Sequence, residues 1–310
     1  MTLPGPTLEY LVVDVFTDRA YSGNPLAVVL GGEGLTSAQM QAVASEFHLS
    51  ETAFPLWVGA LGDVDYQLRI FTPTAELPFA GHPSVGAAWV LAYRELVPVG
   101  PLRQRCGAGD LGVRVELRQT DEPGPAPRVP GRVWLDGAAP SARRTDDPQL
   151  AARVATAVGL GLAELRGEVW ICGAGLDFCY LGVHPSTLGR ASATAAGLTA
   201  VSELAGLAGL VVHTLGSARV QQRVFAPDIG VVEDPATGSA ALGLVALAVA
   251  TGHLVGDGEH ELVVEQGAWI GRGSRMTCAV RTERGRPVAV SVAGEVVPVA
   301  VGRIRVPPVT

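Results

Sequence analysis

Arg69-Ile70-Phe71-Thr72-Pro73, followed by Glu76 and by Gly81-His82-Pro83-Ser84-Val85-Gly86, has a second copy about half a chain later. There the order is Arg223-Val224-Phe225-Ala226-Pro227, then Asp234, then Gly238-Ser239-Ala240-Ala241-Leu242-Gly243. Each copy reads as a strand, an acidic residue, and a glycine opening a helix of small residues with a second glycine five positions on. A duplicated lobe follows, in which a strand delivers a loop that ends at a helix N-terminus. Helices lined all round by Ala, Gly and Val suit a sheet packed about most of their circumference. Two such lobes facing each other are expected to bring two positive helix ends to one cleft, a site for a small carboxylate. Duplication without a shared site is the alternative.

Outward from that repeat, the first half opens with strand-like runs at 10–16 and 26–30, the second after the turn signal Ser22-Gly23-Asn24-Pro25. Residues 37–47 have helical spacing, with Met40, Val43, Ala44 and Phe47 on one side and Ser37 as N-cap. Residues 66–71 alternate with period two, and 83–96 read as an Ala-rich helix stopped before Pro98. With 310 residues, two compact units are expected. They are a first lobe over 1–120, completed by a C-terminal strand at 298–310, and a second over 128–297, joined by a Pro-rich linker at 119–131.

Composition removes several functions. The 48% hydrophobic content supplies buried cores, and a net charge of -7 argues against a nucleic-acid surface. The chain has no lysine, which excludes a Schiff-base lysine and a P-loop lysine alike. Mean hydropathy is high at +0.30, but the longest apolar runs, 240–250 and 204–212, fall short of the roughly 20 residues that cross a bilayer. Residues 1–10 show no basic and apolar leader. Cys106, Cys172, Cys179 and Cys278 lack CxxC spacing and read as buried thiols of a reducing compartment. A cytoplasmic protein that binds neither membrane nor nucleic acid is the expectation.

Four motifs, in order, carry a resemblance. Ser22-Gly23-Asn24-Pro25, Ser50-Glu51-Thr52-Ala53-Phe54, Phe79-Ala80-Gly81-His82-Pro83 and Glu233-Asp234-Pro235-Ala236-Thr237-Gly238-Ser239-Ala240 resemble the signatures of the phenazine-biosynthesis PhzF isomerase family. The likeness runs from about Tyr10 to the C-terminal strands, and the last motif is the most specific. It implies an α+β fold of the diaminopimelate epimerase type: two similar lobes, each a central helix wrapped by a mostly antiparallel sheet.

The same resemblance implies that Glu51 carries the proton. A carboxylate takes a proton from carbon only when held close and partly desolvated, and Thr52-Ala53-Phe54-Pro55-Leu56-Trp57 is apolar enough to provide that. His82 is implied to bind substrate and relay or orient a proton, with Asp234 in the matching part of the other lobe. Ser239 and the backbone N–H groups of Gly81 and Gly238 are candidates for the substrate carboxylate. The plainer readings are a solvated Glu51, a capping His82, a capping Asp234 and a capping Ser239. Epimerases and racemases of this fold use two cysteines at the helix starts. The corresponding positions here are Ala80 and Thr237, which favours a single-carboxylate shuttle over a two-thiol racemase.

Other signals are weak. Gly107-Ala108-Gly109-Asp110-Leu111-Gly112 matches GxGxxG but leads into an alternating strand, so it reads as a hairpin turn, as does Gly173-Ala174-Gly175. His48, His184, His213, His253 and His260 show no metal-ligand spacing, and His253 reads as a helix-end group. No metal, nucleotide or other cofactor is implied. The resemblance implies a homodimeric, cofactor-independent isomerase that shifts a proton between carbons of a small carboxylate-bearing substrate, of the trans-2,3-dihydro-3-hydroxyanthranilate type. An isomerase or epimerase of another amino- or hydroxy-acid, and a non-catalytic small-acid binder, stand as alternatives.

Overall fold

In β1 (Thr7–Val15) Leu11, Val13 and Val15 turn inward and are buried, as period-two alternation requires. The computed structural model describes residues 5–59, 62–118, 130–193, 207–216, 219–226 and 231–308. The chain divides into two compact units, Met1–Asp136 with Ala293–Thr310, and Gly137–Val292. Of the stretch read as a linker, 119–129 lies outside the described residues, and its end, Pro130-Gly131, opens a strand.

The first unit continues through β2 (Asn24–Leu30), α1 (Ser37–Phe47), β3 (Glu51–Leu56), β4 (Tyr66–Phe71) and β5 (Glu76–Leu77). Then come α2 (Gly81–Tyr93), β6 (Gly100–Cys106), β7 (Gly109–Leu117) and β8 (Pro130–Asp136). In the second unit β9 (Ser141–Arg144), α3 (Pro148–Ala157), β10 (Trp170–Gly173), β11 (Asp177–Gly182) and α4 (Pro185–Leu188) come first. They are followed by β12 (Gly209–His213), β13 (Val220–Ala226), β14 (Val231–Asp234), α5 (Gly238–Ala250), β15 (Gly258–Gln266) and β16 (Ser274–Glu283). Through β17 (Arg286–Gly294) the chain returns to the first unit and ends in β18 (Val296–Arg305).

Pairing repeats between the units. In the first, the strands run β18-β1-β2-β3-β4-β6-β7-β8, antiparallel except for β2 with β3 and β4 with β6. In the second they run β9-β10-β11-β12-β13-β15-β16, antiparallel except for β11 with β12 and β13 with β15. The two parallel pairs therefore fall at matching places. A parallel pair needs a crossover, and in each unit the second one is made by the central helix, α2 or α5. The class is α+β with mostly antiparallel sheet, as the family resemblance implies.

Both central helices are buried nearly all round. In α2 every residue from His82 to Ala92 is buried, and in α5 all from Ala240 to Val249. At about 1.5–3 kcal/mol for each fully buried Val or Leu, this is a main source of each unit's stability. The second glycines make the fit possible. A Cβ at Gly86 would stand 2.5 Å from Leu26 Cδ2 and 2.9 Å from Val15 Cγ2. At Gly243 it would strike the Tyr180 hydroxyl, which donates to Ala240 O at 2.6 Å.

Some local details differ from expectation. The N-cap of α1 is Thr36, not Ser37: its hydroxyl accepts from Gln39 N while the Gln39 side chain accepts from Thr36 N, a reciprocal pair that Ser37 cannot form. Helix α2 starts at Gly81 and ends at Tyr93, because Glu95 takes a left-handed φ of 56°. The GxGxxG glycines do form a hairpin, with Cys106 opposite Gly109, and Gly173 opposite Asp177 makes another. All four cysteines are free and buried. Among the described residues no helix is long and apolar enough to cross a membrane.

Candidate functional site

Glu51 is the first residue of β3, registered beside Leu26 of β2, and is only 6% exposed. Strand alternation puts Ala53 on its face and turns Thr52 and Phe54 the other way. His82, the second residue of α2, is 5% exposed, and its Nε2 lies 3.5 Å from Glu51 Oε2. That separation is beyond the usual 2.7–3.2 Å of a hydrogen bond. Glu51 Oε2 accepts no hydrogen bond among the described residues. Burial pushes the Glu51 carboxyl up to about 7, opposed by a hydrogen bond from Ser50. The Ser50 hydroxyl also lies 3.3 Å from Asn24 Oδ1, which brings the Gly-Asn-Pro turn beside the Ser-Glu-Thr strand. A carboxyl balanced near neutrality can both take and return a proton.

In the second unit Asp234 ends β14 and is 6% exposed. Thr237 Oγ1 donates to Asp234 Oδ2 at 2.5 Å. Gln266, at the end of β15 and 1% exposed, donates through Nε2 to Asp234 O at 2.7 Å and to Thr237 Oγ1 at 3.0 Å. Its Oε1 accepts from Thr237 N at 3.2 Å and from Gln222 Nε2 at 2.7 Å. Gly238 and Ser239 open α5 directly after this knot, with Ser239 half-buried. Neither Ala80 nor Thr237 caps its helix through a side chain, so no protein side chain at the cap position takes the first-turn N–H groups of α2 or α5.

Glu51, His82 and Gly81 are thus assembled in one unit, and Asp234, Gly238 and Ser239 in the other. The solvated-loop reading of Glu51 fails, since it is a buried strand residue. Ser239 is not a cap, because it is the second helical residue. The repeat also needs one correction: the counterpart of Glu76 is Glu233, not Asp234. Arg69 grips Glu76 through Nε and Nη2 at 2.7 and 2.6 Å, and Arg223 grips Glu233 in the same two-pronged way at 2.9 and 2.6 Å. Each guanidinium also stands over the phenylalanine two residues on, Phe71 at 5.1 Å and Phe225 at 5.3 Å. Asp234 then aligns with Leu77, so the carboxylate belongs to the second unit alone.

Sequence reasoning passed over Gln266, Gln222 and the Thr237 hydroxyl. Thr237 lies inside a motif, but nothing near Gln266 in sequence marks it, because its partners are 29 to 44 positions away. Among the described residues no group of three or more His, Cys, Asp or Glu side chains gathers to hold a metal ion.

The family described as phenazine biosynthesis-like protein, PhzC-PhzF, matches residues 13–126 and 198–302. An uncharacterized isomerase of Mesorhizobium japonicum is 35% identical over 327 residues, covering 96% of this chain and 99% of its own. The trans-2,3-dihydro-3-hydroxyanthranilate isomerase of Pseudomonas aeruginosa is 33% identical over 296 residues, covering 95% of this chain and 98% of its own. In fold, the chain is similar to the PhzF-family phenazine biosynthesis protein of Bacillus anthracis, with a TM-score of 0.84 at 24% identity over 96% of this chain and 99% of that one. With both halves of the chain matched and its relatives named isomerases, this protein belongs to the phenazine biosynthesis-like PhzC-PhzF family and is an isomerase of that family.

Proposed function

We propose that this isomerase works without a cofactor, with Glu51 removing a proton from one carbon of a small carboxylate-bearing substrate and returning it to another. The observation that carries this reading is the buried Glu51 carboxyl, raised to about 7 and facing His82 Nε2 at 3.5 Å. A group with that proton affinity exists as acid and base in comparable amounts at neutral pH, as a shuttle requires. His82 orients the substrate and the shuttled proton. Asp234 is the orienting candidate of its own unit, where the Gly238 N–H and the Ser239 hydroxyl are candidates for a substrate carboxylate, and the Gly81 N–H is the matching candidate in the first unit. Helix N-termini without side-chain caps support that last role.

The proposed substrate is of the trans-2,3-dihydro-3-hydroxyanthranilate type, by likeness to the Pseudomonas aeruginosa relative, with another amino- or hydroxy-acid as the alternative. A two-thiol racemase is the weaker reading, because Ala80 and Thr237 stand at the helix starts. The protein is further proposed to act in the cytoplasm as a homodimer, which light scattering at micromolar concentration tests against the 32.0 kDa of one chain. The activity is tested by incubating candidate acids with the protein in heavy water and following carbon-bound protons by NMR. Exchange that disappears in Glu51→Gln supports the reading. Binding without exchange, or exchange that survives the substitution, overturns it.

A further inference from the structure

Gln266 has a fixed amide direction. Thr237 N can only donate, so it must meet Oε1, and Asp234 O can only accept, so it must meet Nε2. With Nε2 so placed, its second proton falls on Thr237 Oγ1, and the threonine's own proton goes to Asp234 Oδ2. The chain of donation therefore runs one way, from Gln266 to Thr237 to the Asp234 carboxylate. Gln222 locks it from behind by donating to Gln266 Oε1, and its own Oε1 is left buried without a hydrogen-bond partner among the described residues.

The first unit shows what plain fastening looks like. There Tyr66 donates to Gln104 Oε1 at 3.0 Å, Gln104 Nε2 to Ser84 Oγ at 2.9 Å, and Ser84 Oγ to Ala80 O at 2.9 Å. A buried glutamine again ties down the start of the central helix, yet the chain ends on a backbone carbonyl. No carboxylate is served, because Leu77 and Ala80 stand where the second unit has Asp234 and Thr237.

We infer that Thr237 and Gln266 are positioning residues, which use this one-way chain to hold the Asp234 carboxylate in a single orientation for the isomerisation. The inference rests on the reading that Asp234 orients groups on the substrate. The test compares Thr237→Val, Thr237→Ser and Gln266→Leu with wild type in two ways: the Asp234 side-chain angle in crystal structures, and kcat and KM with trans-2,3-dihydro-3-hydroxyanthranilate. Thr237→Val is expected to release Asp234 into a different or divided rotamer and to lower kcat by about tenfold or more, with KM within a few-fold. Thr237→Ser keeps the hydroxyl and should restore both readings, and Gln266→Leu should follow Thr237→Val.

An Asp234 that keeps its angle in Thr237→Val overturns the inference whatever happens to kcat, since the hydroxyl would then act elsewhere. An unchanged kcat in Thr237→Val, beside a dead Glu51→Gln, overturns it while leaving the function reading intact. A Glu51→Gln enzyme that still turns over, or a wild type inactive on this compound, counts against the function or its substrate, and the Asp234 angle alone then decides the positioning role. Should Gln266→Leu fail to fold, Thr237→Val against Thr237→Ser carries the comparison.

Discussion

Glu51 Oε2 and His82 Nε2 face each other at 3.5 Å, with both side chains at least nine-tenths buried. One comes from the first residue of a strand and the other from the first turn of the central helix, so their separation is set by how the helix seats on the sheet. Gly86, on that same helix, is what lets it seat so closely against Val15 and Leu26. The packing that stabilises the unit is therefore also what brings two proton-binding groups together.

On the proposed role of Glu51 as the base, the pH dependence of turnover follows from its burial. Its carboxyl is raised to about 7, so below that value most of the enzyme holds the acid form and cannot take a proton from carbon. The acid limb of a kcat/KM profile should rise with pH and level off with a midpoint near 7. A midpoint near the ordinary carboxylate value of 4.5 would exclude Glu51 as the base.

The same shift predicts a stability signature in Glu51→Gln. The folded state holds its Glu51 proton up to about 7 while the unfolded chain releases it near 4.5, so the folded state binds more protons between those values. Wild-type stability must then fall as pH rises across that window and stay low above it. Gln has no proton to lose. The variant should match the wild type below pH 4.5 and exceed it above pH 7 by up to about 3 kcal/mol. Urea denaturation at pH 4, 6 and 8 measures the difference, and a gap that does not open with pH refutes the buried-acid account.

A smaller gain is expected one residue on. Thr52 is fully buried on the opposite face of β3 from Glu51, and its hydroxyl has no hydrogen-bond partner among the described residues. Thr52→Val keeps the shape and removes a desolvated polar atom, so it should raise stability by about 1 kcal/mol. A drop in melting temperature would show that the hydroxyl is satisfied after all.

Much of the fold, and the candidate status of part of the site, is legible because it rests on local patterns. Arg69 to Gly86 repeated as Arg223 to Gly243 gave the two lobes, since strand, turn and helix signals are short-range. Glu51, His82 and Asp234 were marked by their motifs. What escaped notice depends on contacts made at a distance. Glu233 rather than Asp234 answers to Glu76, and that becomes plain only when Arg223 is seen to grip it. Gln266 reaches back to Asp234 and Thr237, and nothing in its own neighbourhood signals that a buried amide will be needed there. Thr36 displaced Ser37 as a cap because a reciprocal pair with Gln39 outweighs a single hydroxyl.

Ser239 offers the sharpest separation of binding from chemistry. It is the second residue of α5, half-buried, and its backbone belongs to the same first turn as Gly238. If its hydroxyl donates to the substrate carboxylate, that bond exists in the bound ground state and in the transition state alike, so its loss should weaken binding uniformly. A hydrogen bond to a charged partner contributes roughly 1.5–3 kcal/mol, so Ser239→Ala should raise KM about ten- to a hundredfold with kcat within a few-fold of wild type. Glu51→Gln should do the reverse, leaving affinity within a few-fold and removing turnover, because Gln keeps the shape and loses the base. Calorimetric titration with a stable carboxylate analogue such as 3-hydroxyanthranilate, run beside the kinetics, separates the two effects. If Ser239→Ala instead lowers kcat and leaves affinity alone, the hydroxyl acts on the migrating proton, and the carboxylate must be held by other groups.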